Sequence, residues 1–305
     1  MHSVPPGASG SGGSVIAYSG IAELSAGRVY ALQSAFELNG RISAYPQSAR
    51  GYSVCNCYLL KEGDRAILLD TGYAAHAPDI LDQLDRLIGP DTQLSLLPLR
   101  INEFMSVSNA VAIAKRFNVV ECFSTVPAIE EWIEFETLRG EARNPVLTTT
   151  VLSASAGARV DLGGDRFVDV MDAPIRLINT LWIYDAASKT LFSSDMFSHL
   201  WRDREDGPWL LGDNDEDGAT NFAFVRSFLL NTRYWWIEGA NLSPIRRAVA
   251  DVYDRFDIET IAPGYGTILR GRAHVDQQFA VLDDVLGQLD RKNIAPAYVP
   301  RGLER

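Results

Sequence analysis

Ser53-Val-Cys-Asn-Cys-Tyr-Leu-Leu-Lys-Glu-Gly-Asp-Arg-Ala-Ile-Leu-Leu-Asp-Thr-Gly72 is the stretch of sequence that decides the fold. Two apolar runs flank a turn with Gly and Asp, which predicts a β-hairpin. Residues 76–88 follow with apolar side chains at helical spacing, and Gly89-Pro90 ends that helix. Leu94 to Leu97 is an apolar run of the kind found in buried strands. The order strand, strand, helix, strand predicts a mixed sheet with a helix outside it.

The second half of the chain repeats this order. Leu181-Trp-Ile-Tyr184 and Thr190-Leu-Phe-Ser193 predict another hairpin. Ser243 before Pro244 predicts an N-cap and a helix start, and residues 275–289 predict a last helix. We therefore predict an α/β fold, an αββα sandwich of two mixed β-sheets flanked by helices. Weaker patterns predict a short hairpin from Val29 to Leu38, helices over residues 110–117 and 128–138, and an irregular acidic segment over residues 202–218.

Length, composition and charge narrow the class of protein. The 305 residues are 47% apolar, and we expect residues 15–305 to form a single domain after a flexible tail of residues 1–14. A net charge of -11 argues against nucleic acid or an anionic membrane as partner. No apolar run approaches the roughly 20 residues of a membrane span. The three cysteines, Cys55, Cys57 and Cys122, are too few for a disulfide framework, so we expect a cytoplasmic protein in which they are buried apolar residues.

Segments along the chain resemble one protein family. Asn56-Cys-Tyr-Leu-Leu60 with Leu68-Leu-Asp-Thr-Gly72 resembles the opening of the metallo-β-lactamase superfamily. Leu191-Phe-Ser-Ser-Asp-Met-Phe197 is similar to the flavodiiron segment that ends in a bridging aspartate. Arg233-Tyr-Trp-Trp236 and Asp257-Ile-Glu-Thr-Ile-Ala-Pro-Gly-Tyr-Gly266 look like the closing strand and last ligand loop of that branch. The chain thus resembles the flavodiiron and oxygen-binding di-iron branch over about residues 53–270, and we expect no flavodoxin domain.

The resemblance implies a binuclear metal site, but most of its ligands are replaced. The family's ligand positions fall, in chain order, on Ile101, Glu103, Met105, Ser106, a residue near Arg176, Asp195 and Tyr265. Glu103 and Asp195 are the two retained carboxylates. Ile101 and Met105 offer no hard donor, and Arg176 would bring a positive charge to the place of the cations. We therefore predict that the metal site is degenerate and that the protein binds no cofactor.

The replaced site still contains residues able to bind or to transfer protons. Without metal ions the two carboxylates would repel each other, and Arg100 or Arg176 would supply positive charge through a bidentate pair. Glu103 or Asp195 is a candidate general base, with Tyr265 as the acid. The residues predicted to meet at the loop edge of the sheets are Arg100, Glu103, Ser106, Arg176, Asp195 and Tyr265. The candidates for ligand binding are Arg100, Ser106, Arg176 and, four residues after Asp195, His199.

Three functions are compatible with this sequence. The first is a flavodiiron-like protein with a degenerate metal site that acts as a small-molecule-binding, regulatory or partner subunit. Its ligand would be a small polar or anionic molecule, and the resemblance implies a homodimer. The second is a hydrolase or oxidoreductase with a metal-free site, or with one metal held by Glu103, Asp195 and His199. The third is a di-iron oxygen or nitric oxide reductase with ligands at other positions; iron or zinc belongs to these alternatives.

One further motif resembles an ion site. Asp213-Asn-Asp-Glu-Asp-Gly218 matches the first half of a calcium-binding loop. The twelfth position of such a loop needs a bidentate glutamate, and this chain has Phe224 there. The sequence therefore predicts a solvated acidic loop rather than a calcium site.

Overall fold

The computed structural model describes residues 18–101, 103–126, 148–154 and 157–297. Within these ranges the strands form two seven-stranded sheets. Buried side chains from both sheets, including Tyr58, Ile183 and Phe192, make a common core between them. Each sheet also has an apolar cluster on its outer face, where its side chains pack against helices. The predicted αββα sandwich of two mixed sheets is confirmed.

The first half of the chain builds the first sheet. Strands β1 to β4 are antiparallel, and β4 to β7 are parallel. The hairpin predicted from Val29 to Leu38 is wrong, because Val29–Glu37 is one strand in unbroken register with its neighbour. The strands lie side by side in chain order: β1 (Ser19–Ser25), β2 (Val29–Glu37), β3 (Tyr52–Glu62), β4 (Arg65–Leu69), β5 (Gln93–Leu97), β6 (Val119–Ser124) and β7 (Thr149–Val151).

The second half builds the second sheet. Its strands are β8 (Ala158–Gly163), β9 (Arg166–Asp172), β10 (Leu181–Asp185), β11 (Thr190–Ser194), β12 (Leu210–Leu211), β13 (Thr260–Pro263) and β14 (Ile268–Arg270). Their order across the sheet is β12, β14, β13, β11, β10, β9, β8. β11 is parallel to β13 and β12 to β14, whereas the other neighbours are antiparallel. The short β12 interrupts the segment that the sequence predicts to be irregular.

The helices cover the outer faces of the sheets. The described helices are α1 (Ala77–Leu87), α2 (Phe104–Val107), α3 (Ala110–Arg116), α4 (Phe222–Leu230), α5 (Ser243–Arg255) and α6 (Arg272–Leu289). The last begins one turn earlier than predicted, and the N-cap of α5 is Leu242 rather than Ser243. The helix predicted over 128–138 lies outside the described residues. No helix in the described ranges is long and apolar enough to cross a membrane.

The ends of four strands meet at one edge of the sandwich. Asp70 follows β4, Arg100 lies shortly after β5, Asp195 follows β11 and Tyr265 comes two residues after β13. The carboxyl ends of neighbouring parallel strands lie at the same edge of a sheet, so each sheet brings two of these residues together. A hydrogen bond from the amide of Leu181 to the carbonyl of Leu99, at 2.8 Å, ties the two sheets to each other here.

Candidate functional site

A fully buried arginine lies at the centre of this edge. Arg100 has none of its side chain exposed. Its Nη2 donates to Oδ2 of Asp70 at 3.1 Å, and its Nη1 donates to Oδ1 of Asp195. Nη1 also lies 3.5 Å from Oε2 of Glu103, and the guanidinium carbon lies 4.9 Å from the ring centre of Tyr265. One guanidinium thus contacts three carboxylates and an aromatic face.

A second arginine completes the group from the opposite side. Arg233 Nη1 donates to Oδ2 of Asp195 at 2.9 Å and to Oε1 of Glu103. Its Nη2 donates to Oγ of Ser43 at 3.1 Å. Asp195 therefore holds one guanidinium on each of its two carboxylate oxygens. The set of residues Asp70, Arg100, Glu103, Asp195 and Arg233 is called the arginine–carboxylate cluster below.

Local backbone features hold the cluster in place. Asp70 and Ser194 have positive φ angles of 61° and 54°, a conformation that costs energy in residues other than glycine. The Asp70 carboxylate also accepts from the amide of Leu99 at 2.7 Å. Gly264 lies so close that a Cβ atom there would stand 2.7 Å from Arg100 Nη2. A side chain at Gly264 would displace the buried guanidinium.

Tyr265 contributes a neutral phenol next to the cluster. Its hydroxyl shares a hydrogen bond of 2.7 Å with the hydroxyl of Tyr73. Burial raises the pKa of Tyr265 although the Arg100 charge lowers it, and burial raises the pKa of Tyr73 to about 12. Both phenols are therefore protonated at neutral pH. This pair can donate hydrogen bonds, but neither hydroxyl is a base near pH 7.

The charges of the cluster do not balance when every group is ionised. Two guanidinium groups then face the three carboxylates of Asp70, Glu103 and Asp195. Burial raises the pKa of Asp70, while Arg100 and hydrogen bonds oppose that shift. The Nε of Arg100 and the Oγ of Ser194 are buried without a hydrogen-bond partner among the described residues. A buried group with surplus charge and unpaired polar atoms is costly to maintain.

The sequence-based candidates fall into two sets. Arg100, Glu103, Asp195 and Tyr265 meet as expected, and Ser106 joins them because its Oγ accepts from the Arg100 amide at 3.2 Å. These contacts establish proximity, whereas the catalytic and ligand-binding roles stay predictions.

Arg176 and His199 are not part of the cluster, which corrects their expected location. Arg176 is partly exposed, pairs with Asp172 at 3.2 Å and donates to the Ala173 carbonyl at 2.8 Å. His199 is buried, and its Nε2 shares a hydrogen bond of 2.7 Å with Thr220 Oγ1. Burial lowers the pKa of His199 to about 4, while Asp217 opposes the shift. His199 is therefore a neutral core residue at pH 7.

The cluster does not fit the binuclear metal centre that the resemblance implies. Ile101 packs in the apolar core outside the first sheet, and the Met105 thioether contacts Arg100 Nη2. The carboxylates of Glu103 and Asp195 are occupied by guanidinium groups. Across the described ranges, no group of three or more His, Cys, Asp or Glu side chains could hold a metal ion. A cation in this place would have to compete with Arg100 and Arg233 for the carboxylates of Asp70, Glu103 and Asp195.

The acidic loop of residues 213–218 binds its own backbone. Asp217 Oδ1 accepts from the amides of Ala219 and Thr220 at 3.1 and 2.9 Å, and its Oδ2 accepts from Gln278 Nε2 at 3.1 Å. Asp215 Oδ2 accepts from the Gly212 amide at 2.6 Å. Two carboxylates of the loop therefore accept hydrogen bonds from the protein itself, and the absence of a calcium site stays a prediction.

Sequence reasoning missed Asp70, Arg233 and Ser43 as members of the site. Asp70 and Arg233 lie in segments that carry the family resemblance, but neither residue matches a ligand position of the family. Arg233 is separated from Glu103 by 130 positions in the chain. No local pattern indicates which arginine of a chain rich in arginine folds back onto a given carboxylate.

Comparisons with known proteins bear on the fold. No family model matches the sequence, and no curated protein matches it. The structure is similar to rubredoxin oxygen:oxidoreductase from Desulfovibrio gigas, with a TM-score of 0.63 and 19% identity, over 88% of this chain and 62% of the other. It is similar to the flavodiiron protein from Giardia intestinalis, with a TM-score of 0.62 and 15% identity, over 89% of this chain and 60% of the other. A third similar structure is the apo state of the chemotaxis sensor ODP from T. denticola, with a TM-score of 0.58 and 13% identity, over 91% of this chain and 95% of the other.

These likenesses show the fold. The chain spans about 60% of the length of the first two proteins and nearly the whole of the third. The chain therefore has the fold of the metallo-β-lactamase-like core of flavodiiron proteins, as the sequence resemblance predicts.

Proposed function

We propose that this protein is a small-molecule-binding regulatory subunit on the flavodiiron core fold, with the arginine–carboxylate cluster in place of a metal centre. The observation that carries the proposal is the position of Asp195. The resemblance matches this residue to the aspartate that bridges two metal ions, and here it bridges the guanidinium groups of Arg100 and Arg233. Two arginines thus supply the positive charge that two cations supply in the family.

The chemistry of the cluster argues against oxygen or nitric oxide reduction. A guanidinium neutralises carboxylates and donates hydrogen bonds, but it carries no exchangeable coordination position and no accessible redox couple. Tyr73 and Tyr265 are protonated at neutral pH and His199 is neutral and buried. The side chains that remain are suited to binding and to structural stability rather than to electron transfer.

The cluster has one side that solvent reaches. Arg100 and Asp70 are fully buried, whereas Glu103 is 20% exposed and Arg233 is 12% exposed. A small carboxylate or phosphate would exchange with Glu103 for the Arg233 guanidinium through a charge-assisted hydrogen bond. Arg233 and Ser43 are therefore the residues we assign to ligand binding, in place of Arg176.

The sensor of similar length supports a regulatory role. The structural match to the chemotaxis sensor of T. denticola extends over most of both chains. A protein of this fold is thus a chemotaxis sensor. We extend that role to this chain, together with the homodimer that the family resemblance implies.

Metal content tests the proposal first. The protein is to be purified without chelator or metal-affinity tag, and its iron, zinc and manganese measured by elemental analysis. We expect well below one metal ion per chain and no oxygen uptake above buffer with a chemical reductant. A content near two iron ions per chain would overturn the proposal, because two ions would require the donors that Arg100 and Arg233 occupy.

Ligand binding provides the second test. We expect inorganic phosphate or succinate to raise the melting temperature of the wild-type protein at low ionic strength. The Arg233→Gln variant should lose this shift, while Arg176→Gln, a partly exposed arginine outside the cluster, should keep it. Equal shifts in all three proteins would reject Arg233 as the binding residue.

A further inference from the structure

Glu103 is the least firmly held carboxylate of the arginine–carboxylate cluster. Asp70 is 1% exposed and also accepts a hydrogen bond from a backbone amide at 2.7 Å. Asp195 is 6% exposed and lies between two guanidinium groups. The Glu103 side chain is 20% exposed, and in the described part of the chain its carboxylate forms ion pairs with guanidinium groups alone. Of the three carboxylates, Glu103 is therefore the one that can leave.

The backbone of Glu103 is held independently of its side chain. Its amide donates to the Arg100 carbonyl at 2.8 Å, and its carbonyl accepts from the Ser106 amide at 3.0 Å. Glu103 immediately precedes α2, and its side chain does not cap that helix. A rotation of the side chain therefore breaks no backbone hydrogen bond. The freed carboxylate would enter water, where an ionised group needs no partner.

The Arg233 guanidinium is suited to a free carboxylate in the place of Glu103. Nη1 and Nη2 of an arginine each carry a pair of N–H groups. Here Nη1 donates to Glu103 and to Asp195, and Nη2 donates to the exposed Ser43. Glu103 thus accepts from Nη1 only. A free, planar carboxylate at this surface would accept from both nitrogens, in the bidentate geometry that matches a guanidinium.

We infer that Glu103 is an internal competitor of the ligand, and that the ligand is a small molecule with one planar carboxylate that replaces Glu103 on Arg233. The inference rests on the proposed function, because it places the ligand on Arg233. A monocarboxylate substitutes one carboxylate for another, whereas a phosphate dianion would add charge to a cluster that already has a surplus carboxylate. Pairing of Glu103 with Arg233 lowers the apparent affinity by the fraction of molecules so paired. The site therefore responds only when the ligand is abundant.

Binding curves for a simple monocarboxylate test the inference. The melting temperature is measured against the concentration of sodium propionate at pH 7, with sodium chloride keeping the ionic strength constant. Glu103→Gln should reach half of its maximal shift at a concentration about tenfold lower than the wild type, because the competing charge is gone. Glu259→Gln removes the same charge from a 52% exposed residue at the other end of β13 and should match the wild type. Equal curves for Glu103→Gln and the wild type would overturn the inference.

Two further variants separate direct competition from a general effect of charge. Glu103→Asp keeps the charge on a shorter side chain that pairs less well with Arg233, so it should bind propionate more tightly than the wild type and less tightly than Glu103→Gln. The double variant Glu103→Gln/Arg233→Gln should lose the gain, because the gain requires Arg233. A wild-type affinity for Glu103→Asp, or a gain that survives in the double variant, would refute the competition. Wild-type protein that binds inorganic phosphate more tightly than propionate would refute the ligand class.

The outcomes distinguish a failure of this inference from a failure of the proposed function. Propionate binding that is present in the wild type, lost in Arg233→Gln and unchanged in Glu103→Gln would overturn the internal competitor and leave the proposed function standing. No binding by the wild type together with binding by Glu103→Gln would show a competitor that fully blocks the site, and would support the inference. No binding by either protein would overturn both.

Discussion

Two buried arginines of this protein are satisfied in different ways. Arg166 forms a bidentate pair with Asp185, at 3.1 and 2.5 Å, and also donates to the Lys61 carbonyl at 2.7 Å. Arg100 faces three carboxylates, shares two of them with Arg233, and leaves its Nε unpaired. The first arrangement is a bidentate pair at the hairpin between β10 and β11, with Oε2 of Glu62 3.5 Å from Arg166 Nη1. The second is an open network that spans both sheets.

The Arg166–Asp185 pair and the arginine–carboxylate cluster differ in how their charges balance. The charges around Arg166 balance, because Asp185 pairs with Arg166 and the nearby Glu62 also pairs with Arg28 at 3.4 Å. The arginine–carboxylate cluster keeps a surplus carboxylate. Positive φ angles do not separate the two arrangements, because they occur at Asp70 and Ser194 and also at Asp165 and Lys189. The surplus negative charge is therefore the feature that distinguishes the cluster from the Arg166 pair.

Replacing Arg100 should have the largest effect. Arg100→Met leaves the buried Asp70 and the largely buried Asp195 without their main counter-charge, and we expect a loss of about 3–5 kcal/mol in the free energy of unfolding at pH 7. Uncompensated buried carboxylates have raised pKa values, so the deficit should grow from pH 4 to pH 7. Urea unfolding at several pH values measures both. A deficit that does not change with pH would show that the loss is one of packing.

The Arg166 pair is expected to behave differently when both partners are removed. Arg166→Met alone leaves Asp185 buried and unpaired and should cost about 3–5 kcal/mol. The double variant Arg166→Met/Asp185→Leu should return to within about 1 kcal/mol of the wild type, because the fully buried carboxylate is removed and Glu62 keeps Arg28 as its partner. Arg100→Met/Asp195→Leu should stay strongly destabilised, since the buried Asp70 still lacks its counter-charge while Glu103 keeps Arg233. Full recovery in both double variants would remove the distinction between the two arginines.

The buried, neutral His199 should make the free energy of unfolding depend on pH in the acidic range. Its pKa is lowered to about 4 by burial, so the unfolded chain takes up a proton first as the pH falls. The stability that His199 permits is complete above pH 6.5 and is lost between pH 6.5 and 4, by about 3 kcal/mol. His199→Gln should lose less over that range in urea unfolding. Identical pH profiles for the two proteins would contradict the buried neutral histidine.

The fold was predictable from sequence because its signals are local. The apolar runs of β3 and β4 and the spacing in α1 give strand and helix directly, and the turn between β3 and β4 is set by Gly63-Asp64. The cluster was predictable in part, because the family resemblance located Glu103, Asp195 and Tyr265. The second guanidinium of the cluster, that of Arg233, was not predictable. Arg233 lies 38 positions from Asp195 and 130 positions from Glu103 in the chain. Its contacts with them depend on how α4 and the residues after it pack, and no local sequence pattern encodes that packing.

The smallest expected effect is that of Arg176, which the sequence predicts for the site. Arg233, which the structure places in the cluster, should have a larger effect. Arg176 is 38% exposed and pairs with the equally exposed Asp172, so Arg176→Ala should change the free energy of unfolding by no more than about 0.5 kcal/mol. Arg233→Ala frees one oxygen of Asp195 and one of Glu103 from their partner and should cost about 1–3 kcal/mol. Chemical denaturation of the two variants side by side measures the difference. Equal costs would mean that Arg233 contributes no more than a surface ion pair, and the cluster would then consist of Arg100 and its carboxylates alone.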